Sequence, residues 1–78
     1  MIRFLTYDLN GATSDEYQDL YDLIDEYDYQ KITESTYRIS TNEDWQTFKN
    51  KFYKATHKGD NVKVIVKHEN AMKVWTIR

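Results

Sequence analysis

The order of periodic segments is the feature that most restricts the fold of this chain. Stretches rich in β-branched and aromatic residues alternate with two segments whose apolar residues recur at helical spacing. The sequence has no proline and only two glycines, Gly11 and Gly59, so these two residues strongly mark breaks between segments. The pattern predicts one set of strands and helices within a single domain, residues 1–78.

The first half of the chain predicts a strand, a helix and a hairpin. Residues 1–9 are nearly all apolar and end at a glycine loop, which indicates a central strand. Residues 13–16 (Thr-Ser-Asp-Glu) have the spacing of a capping box and open a helix. Residues 29–41 are too long for one strand, and a turn near Glu34-Ser35 makes them a hairpin. The helix has an apolar stripe formed by Tyr17, Leu20, Tyr21, Ile24 and Tyr27.

The second half predicts a helix followed by two strands. Residues 41–44 (Thr-Asn-Glu-Asp) repeat the capping-box spacing, and Gly59 is expected to close the helix. Residues 62–67 have the composition of a strand, Glu69-Asn70 turns the chain, and residues 72–77 form a final strand. The apolar stripe of this helix consists of Trp45, Phe48, Phe52 and Ala55.

The order β-α-β-β-α-β, with an additional C-terminal strand, predicts an α+β fold. We expect a ferredoxin-like sandwich, in which both helices cover one face of an antiparallel sheet. The other sheet face is then bare, and on a 78-residue chain it is a surface for a homodimer. The sequence has no cysteine, so self-association is the remaining way to stabilise so small a core.

Hydropathy and charge limit the partners. The chain has no apolar run near 18 residues and no basic-then-apolar leader, so we expect a soluble cytoplasmic protein without a membrane partner. The net charge of −2 conceals two halves of opposite sign. Residues 1–39 contain nine acids and three bases, whereas residues 40–78 contain four acids and eight bases. This division calls for an explanation by partners or by assembly.

Asp8 is the strongest candidate for chemistry. It stands at the end of an apolar strand and beside a glycine loop, where a carboxylate can bind a hard cation such as Mg²⁺. One carboxylate makes a poor site, but two Asp8 side chains in a symmetric dimer would share a divalent cation that activates a water molecule. The simpler interpretation is that Asp8 caps the turn through Asn10-Gly11.

Two charged surfaces each have two interpretations. The acids of the first helix mimic nucleic acid or meet a basic partner, or they form an ordinary solvated face. The lysines of the second half, interleaved with Tyr53, His57 and Trp75, form a nucleic-acid surface or are ordinary surface lysines that protect an edge strand. His57 and His68 are candidates for acid–base chemistry with no evident partner. The lysines are Lys49, Lys51, Lys54, Lys58, Lys63 and Lys67.

Residues 4–10 (Phe-Leu-Thr-Tyr-Asp-Leu-Asn), the aromatic and acidic helix, and residues 31–39 (Lys-Ile-Thr-Glu-Ser-Thr-Tyr-Arg-Ile) resemble a known family. They are similar to small bacterial and phage proteins related to the CRISPR-associated spacer-acquisition endoribonucleases. The virulence-associated protein D ribonucleases are more distant relatives. The resemblance covers nearly the whole chain in element order, and its specific part is the Tyr-Asp-Leu strand end and the Glu-Ser-Thr hairpin.

The resemblance implies a ferredoxin-like homodimer packed through its sheets, with a final strand that extends or swaps onto the partner's sheet. It also implies that Asp8 faces its symmetry mate and takes part in magnesium-dependent phosphodiester cleavage. Acquisition members of the family are, in addition, non-catalytic bridges that hold duplex DNA on basic flanks. The family usually carries arginines in the first helix, whereas residues 12–30 of this chain contain no base.

The sequence therefore predicts a homodimeric, magnesium-dependent nuclease that acts on RNA or DNA, with paired Asp8 side chains at the dimer axis. The alternative is a non-catalytic module of a phage or bacterial defence system that binds nucleic acid or protein. A third interpretation is an acidic phage or regulatory protein that binds a basic partner through its first helix.

Overall fold

An antiparallel sheet and two helices make up the described part of the chain, which in this computed structural model comprises residues 1–68 and 70–78 without the side chain of His68. The helices are α1 (Ser14–Ile24) and α2 (Trp45–Lys54). The five strands are β1 (Ile2–Asp8), β2 (Asp28–Thr33), β3 (Thr36–Ser40), β4 (Asn61–His68) and β5 (Ala71–Thr76). The predicted α+β class is confirmed.

The sheet order is β2-β3-β1-β4-β5, and every pair of neighbouring strands is antiparallel. This arrangement is compatible with a ferredoxin-like fold. The additional C-terminal strand, β5, lies at one edge beside β4, and β2 forms the other edge. Neither helix of the described residues is long and apolar enough to cross a membrane.

Both helices pack on the same face of the sheet. Along β1, residues Arg3, Leu5 and Tyr7 are buried, while the residues between them are half-buried. Leu5 lies opposite Tyr37 on β3 and Val64 on β4, so the buried residues share one face. Further core residues on that side include Leu20, Leu23, Ile24, Phe48, Phe52, Ile39, Val62 and Val66. The opposite face is called the uncovered face below.

The two helix starts follow different capping residues. Thr13 caps α1 as predicted, since its hydroxyl accepts from the Glu16 amide and the Glu16 carboxylate accepts from the Thr13 amide. For α2 the predicted capping box was wrong. Asp44 is the N-cap and accepts from the Thr47 amide at 2.9 Å, because a carboxylate three residues closer to the helix can satisfy that donor.

Three other expectations need correction or restriction. The tyrosines of the α1 stripe, such as Tyr17 and Tyr21, are only half-buried, whereas its aliphatic residues are buried. Gly59 does not close α2, which ends at Lys54; it has a φ of 98° in a later turn, where the Asp60 amide donates to the His57 carbonyl. In the turn expected at Glu69-Asn70, Glu69 lies outside the described residues.

A polar contact joins the segment after α1 to α2. The Glu43 carboxylate accepts hydrogen bonds from the Tyr27 hydroxyl and from the Lys51 ammonium group, the latter at 2.7 Å. Partial burial raises the pKa of Glu43, but these two hydrogen bonds outweigh that effect and hold its pKa below the ordinary value of 4.5. The contact therefore stabilises the folded state while Glu43 is ionised.

Arg3 is a buried charge on the covered face of β1, with only 3% of its surface exposed. Its guanidinium carbon lies 4.7 Å from the centroid of the Phe48 ring and 5.9 Å from that of Trp45. One terminal nitrogen donates to the Glu43 carbonyl at 2.6 Å, while Nε and Nη1 have no hydrogen-bond partner among the described residues. Cation–π contacts and the packing of the stem therefore compensate only part of the cost of burying this charge.

Arg3→Met is expected to leave the free energy of unfolding within about 1 kcal/mol of the wild-type value, because methionine keeps an apolar stem and removes the buried charge. Arg3→Ala should lose about 2–5 kcal/mol through the cavity that it creates. Denaturant titration of both variants measures the difference. If Arg3→Met loses as much stability as Arg3→Ala, the polar contacts of the guanidinium group outweigh its packing.

Glu43→Gln is expected to lower stability at neutral pH and to have less effect as the pH falls. The folded-state pKa of Glu43 is depressed, so its contribution is present above the unfolded-state value near 4.5 and is lost as the pH falls through the folded-state value. Urea midpoints of wild type and variant, measured from pH 7 to pH 3, should converge in acid. A constant difference over that range would contradict this account.

Candidate metal and nucleic-acid site

Asp8 lies at the C-terminal end of β1, and its side chain is exposed. It has the same strand parity as Phe4 and Thr6, which places it on the uncovered face of the sheet. On the neighbouring strand it is directly opposite Asn61, the first residue of β4. The strand end therefore presents a carboxylate and an amide side by side.

A shallow recess of about 200 Å³ surrounds this pair, and Thr6 and Lys63 also line it. Within the described residues the Asp8 carboxylate has no hydrogen-bond or ion-pair partner. The Lys63 ammonium group is engaged elsewhere, since it donates to the Arg78 carbonyl at 2.9 Å. The expected turn cap at Asn10-Gly11 is therefore not formed by the Asp8 side chain in this structure.

The oxygen donors of this recess have the chemistry that Mg²⁺ prefers, namely a carboxylate with an amide and a hydroxyl nearby. The number of these donors in one chain is small. Among the described residues there is no group of three or more His, Cys, Asp or Glu side chains that could hold a metal ion. A single chain supplies one carboxylate, so a magnesium site here fits the donor type but needs a second chain to complete it.

The predicted basic residues fall on two sides of the molecule. Lys63 and Lys67 lie on the uncovered face of β4, beside Ile65. Lys49, Lys51 and Lys54 lie on α2, and Lys58 follows it, so they belong to the helical layer on the other side of the sheet. The fold does not bring the six lysines into one surface.

The aromatic residues between these lysines have mostly structural contacts. Trp75 packs edge-on against Trp45, with the ring centroids 4.5 Å apart. The Tyr53 ring lies 3.8 Å from the Arg78 guanidinium carbon. His57 is exposed, and its backbone amide donates to the Asp60 carboxylate at 2.8 Å. The side chain of His68 lies outside the described part of the chain.

The acids expected on the first helix are all exposed, and two of them follow the helix rather than lie on it. Asp25 accepts a hydrogen bond from the Tyr29 hydroxyl at 2.9 Å, which raises the pKa of Tyr29. The exposed acids are Asp15, Asp19, Asp22, Asp25 and Glu26.

Sequence reasoning missed the neighbours of Asp8 and the apolar residues of the uncovered face. Asn61 became a candidate only through the register of β1 and β4, which no local pattern specifies. Ile2 and Phe4 belong to the strand that the sequence predicts to be central, and β1 is indeed the middle strand of the sheet, but no local pattern assigns these two residues to the uncovered face. The alternation of β4 (Val62, Lys63, Val64, Ile65, Val66, Lys67) was the available signal that one face of the sheet is less buried.

No family model matches the chain, and no curated protein or solved structure matches it either. The uncovered face and the end of β1 are therefore the features from which a function can be inferred.

Proposed function

We propose that the chain forms a homodimer of ferredoxin-like fold through the uncovered sheet face, and that its two Asp8 carboxylates together hold Mg²⁺ for phosphodiester cleavage. The observation that carries this proposal is that the exposed Asp8 carboxylate has no partner within the described residues and lies on the uncovered face of the sheet.

The strand order supports the ferredoxin-like assignment. Each helix connects two parallel strands that are separated by one strand between them: α1 connects β1 to β2 around β3, and α2 connects β3 to β4 around β1. Two such interleaved β-α-β units define the ferredoxin-like topology. In this arrangement both helices lie on one side, and the other side of the sheet is left to a partner.

The uncovered face has an apolar centre with a charged rim. One row of register partners crosses the sheet from Arg38 through Phe4 and Ile65 to Val74. Val74 is 62% exposed and Met72 is 60% exposed, which is unusual for apolar side chains in a sheet. Apolar surface of this kind favours association, and a small chain without disulfides gains stability from it.

A second copy is the occupant that the charges favour. The uncovered face carries Arg38, Lys63 and Lys67 together with the acids Asp8 and Asp28. A two-fold axis presents the same patch to itself, so a patch with both signs can be self-complementary. The opposite charges of the two halves of the chain then become complementary surfaces of one dimer.

In this dimer two Asp8 carboxylates would approach each other at the ends of the β1 strands. Two carboxylates at short distance repel, and a divalent cation offsets that repulsion. When bound there, Mg²⁺ would supply a Lewis acid for the phosphate and a water of lowered pKa. Asp8 would hold the cation, the Asn61 amide would donate to phosphate oxygens, and Lys63 in the same recess would offset phosphate charge.

A non-catalytic module is the second candidate, and two observations favour it. Each chain offers a single carboxylate in the recess at the end of β1. Residues 12–30 contain no base that could contact phosphate. Such a module would bind nucleic acid through the exposed lysines on and after α2, such as Lys54 and Lys58, or would bind a protein partner.

The double variant Met72→Glu, Val74→Glu is expected to dissociate the dimer, because it buries two unpaired carboxylates in the interface. We expect the dissociation constant to rise roughly a hundredfold or more, measured by sedimentation velocity at micromolar concentration. Gln18→Glu, Asn50→Glu adds the same two charges at exposed positions on the helices and should remain dimeric. A wild-type protein that is monomeric at these concentrations would rule out the assembly.

Asp8→Asn is expected to abolish magnesium-dependent cleavage of RNA or DNA while leaving the fold and the dimer intact, because Asp8 is exposed and has no partner within the described residues. Asp19→Asn, which removes the same charge from an exposed helix position, should retain activity. Residual cleavage by pure Asp8→Asn would exclude the catalytic role. Absence of cleavage by the wild-type dimer, with nucleic-acid binding that weakens steeply with salt, would favour the non-catalytic module.

A further inference from the structure

A second recess lies on the helix side of the sheet, where α1, the end of β1 and the β2–β3 turn meet. It has a volume of about 400 Å³. Three tyrosines line it, Tyr7, Tyr17 and Tyr21, together with the acids Asp8 and Glu34. Sites for small ligands are typically a few hundred Å³ in volume and combine apolar walls with a few polar groups.

The tyrosines of α1 pack against the core with only part of their surface. Tyr17 and Tyr21 are half-buried, while Leu20 and Ile24 of the same helix are fully buried. The rings of Tyr17 and Tyr21 are 6.0 Å apart and inclined by 37°, so they form an angled wall rather than a stack. Two aromatic surfaces are therefore available to a ligand.

Tyr7 forms the floor of this recess. Its ring is buried, and its hydroxyl donates to the Glu34 carbonyl at 3.1 Å. Burial raises the pKa of Tyr7, and the neighbouring hydroxyls of Tyr21 and Tyr37 raise it further, so the phenol remains neutral at physiological pH. The floor contributes an aromatic surface without a negative charge of its own.

The charged side chains that line this recess are both acidic. In the described part of the chain, no Lys, Arg or His side chain lines it, and α1 carries only acids on its outer face. Lys31 binds Glu34 at the rim, at 3.3 Å; the Lys31 side chain is 49% exposed and that of Glu34 is 95% exposed. Surface ion pairs of this kind are weak, so an incoming cation can compete with Lys31.

We propose that this recess binds an alkylammonium or guanidinium group, either of a small molecule or of a basic side chain. Tyrosine faces attract such cations through their π electrons, and the carboxylates at the rim add Coulomb attraction. The combination of three phenol rings with acids and without a lining base selects an organic cation over an anion or a neutral ligand. Neither the dimer nor magnesium is a premise of this inference, although Asp8, at the end of β1, borders both recesses.

The test is a chemical-shift titration of the protein with N-acetyl-arginine amide in magnesium-free buffer. We expect saturable shifts confined to Tyr7, Tyr17, Tyr21 and their neighbours, and none with the neutral N-acetyl-citrulline amide. Tyr21→Leu and Tyr17→Leu should each weaken binding about fivefold, which is the size of a cation–π contact at a partly exposed site. Equal binding of the citrulline compound would overturn the proposal.

A pair of double variants separates a specific site from diffuse attraction to an acidic surface. Asp8→Asn, Glu34→Gln removes two rim charges, and Asp19→Asn, Asp22→Asn removes two charges from the outer side of α1. The first should weaken binding about tenfold and the second less than twofold. Equal weakening by both, or shifts spread along the whole of α1, would overturn the proposal.

A second arm of the same titration identifies the source of the cation by comparing a peptide with the arginine amide. Tighter binding of a peptide with one central arginine than of the arginine amide would assign the recess to a basic protein segment. Equal affinities would assign it to a free small cation. Either result supports the proposal only if the shifts are saturable and confined to the tyrosine-lined recess. Because no magnesium is present and cleavage is not measured, failure of this proposal leaves the nuclease proposal untouched.

Discussion

Two helices of 11 and 10 residues can cover only one face of a five-stranded sheet, and this constraint shapes the described part of the molecule. The covered face takes the aliphatic core, the Phe48 and Phe52 rings and the buried Arg3. The uncovered face keeps Phe4, Ile65, Met72 and Val74 partly or largely exposed. A single chain of this fold cannot bury both sets of residues, which is the physical reason to expect a partner.

The alternation of β1 brings two different chemistries to one end of the sheet. Tyr7 points to the covered face and forms the floor of the tyrosine recess, while its neighbour Asp8 belongs to the uncovered face beside Asn61. The strand end therefore combines a carboxylate suited to a hard metal ion with an aromatic surface suited to an organic cation. Both interactions would neutralise charge in the half of the chain that carries a net −6.

Element order was predictable from the sequence because apolar spacing changes clearly between strands and helices. The hairpin turn at Glu34-Ser35 was predictable from the length of residues 29–41, and the Thr13 cap from the spacing of a capping box. The start of α2 was not predictable from the sequence, since Thr41 and Asp44 are both good caps and only the three-dimensional structure decides between them. The apolar composition of β1 predicted a central strand correctly, but it did not show that Ile2 and Phe4 lie on the uncovered face.

The candidate site was predictable only in part. Asp8 stood out because a carboxylate ends an apolar strand, but its neighbour Asn61 is 53 positions away and depends on strand register. The six lysines looked like one surface in the sequence, whereas the sheet separates the two on β4 from the four on or after α2. Arg3 could not be placed inside, because its burial depends on the Phe48 and Trp45 rings that come from a distant helix.

The central claim is that the uncovered face is the contact between two copies of this chain. Isotope-filtered NOE spectroscopy on a mixture of ¹³C-labelled and unlabelled protein detects only contacts between copies. The account predicts intermolecular NOEs that involve the side chains of Phe4, Ile65, Met72 and Val74. Intermolecular NOEs from α1 or α2 instead of these four residues would contradict it. The absence of intermolecular NOEs from these residues in a sample that sedimentation shows to be associated would contradict it too.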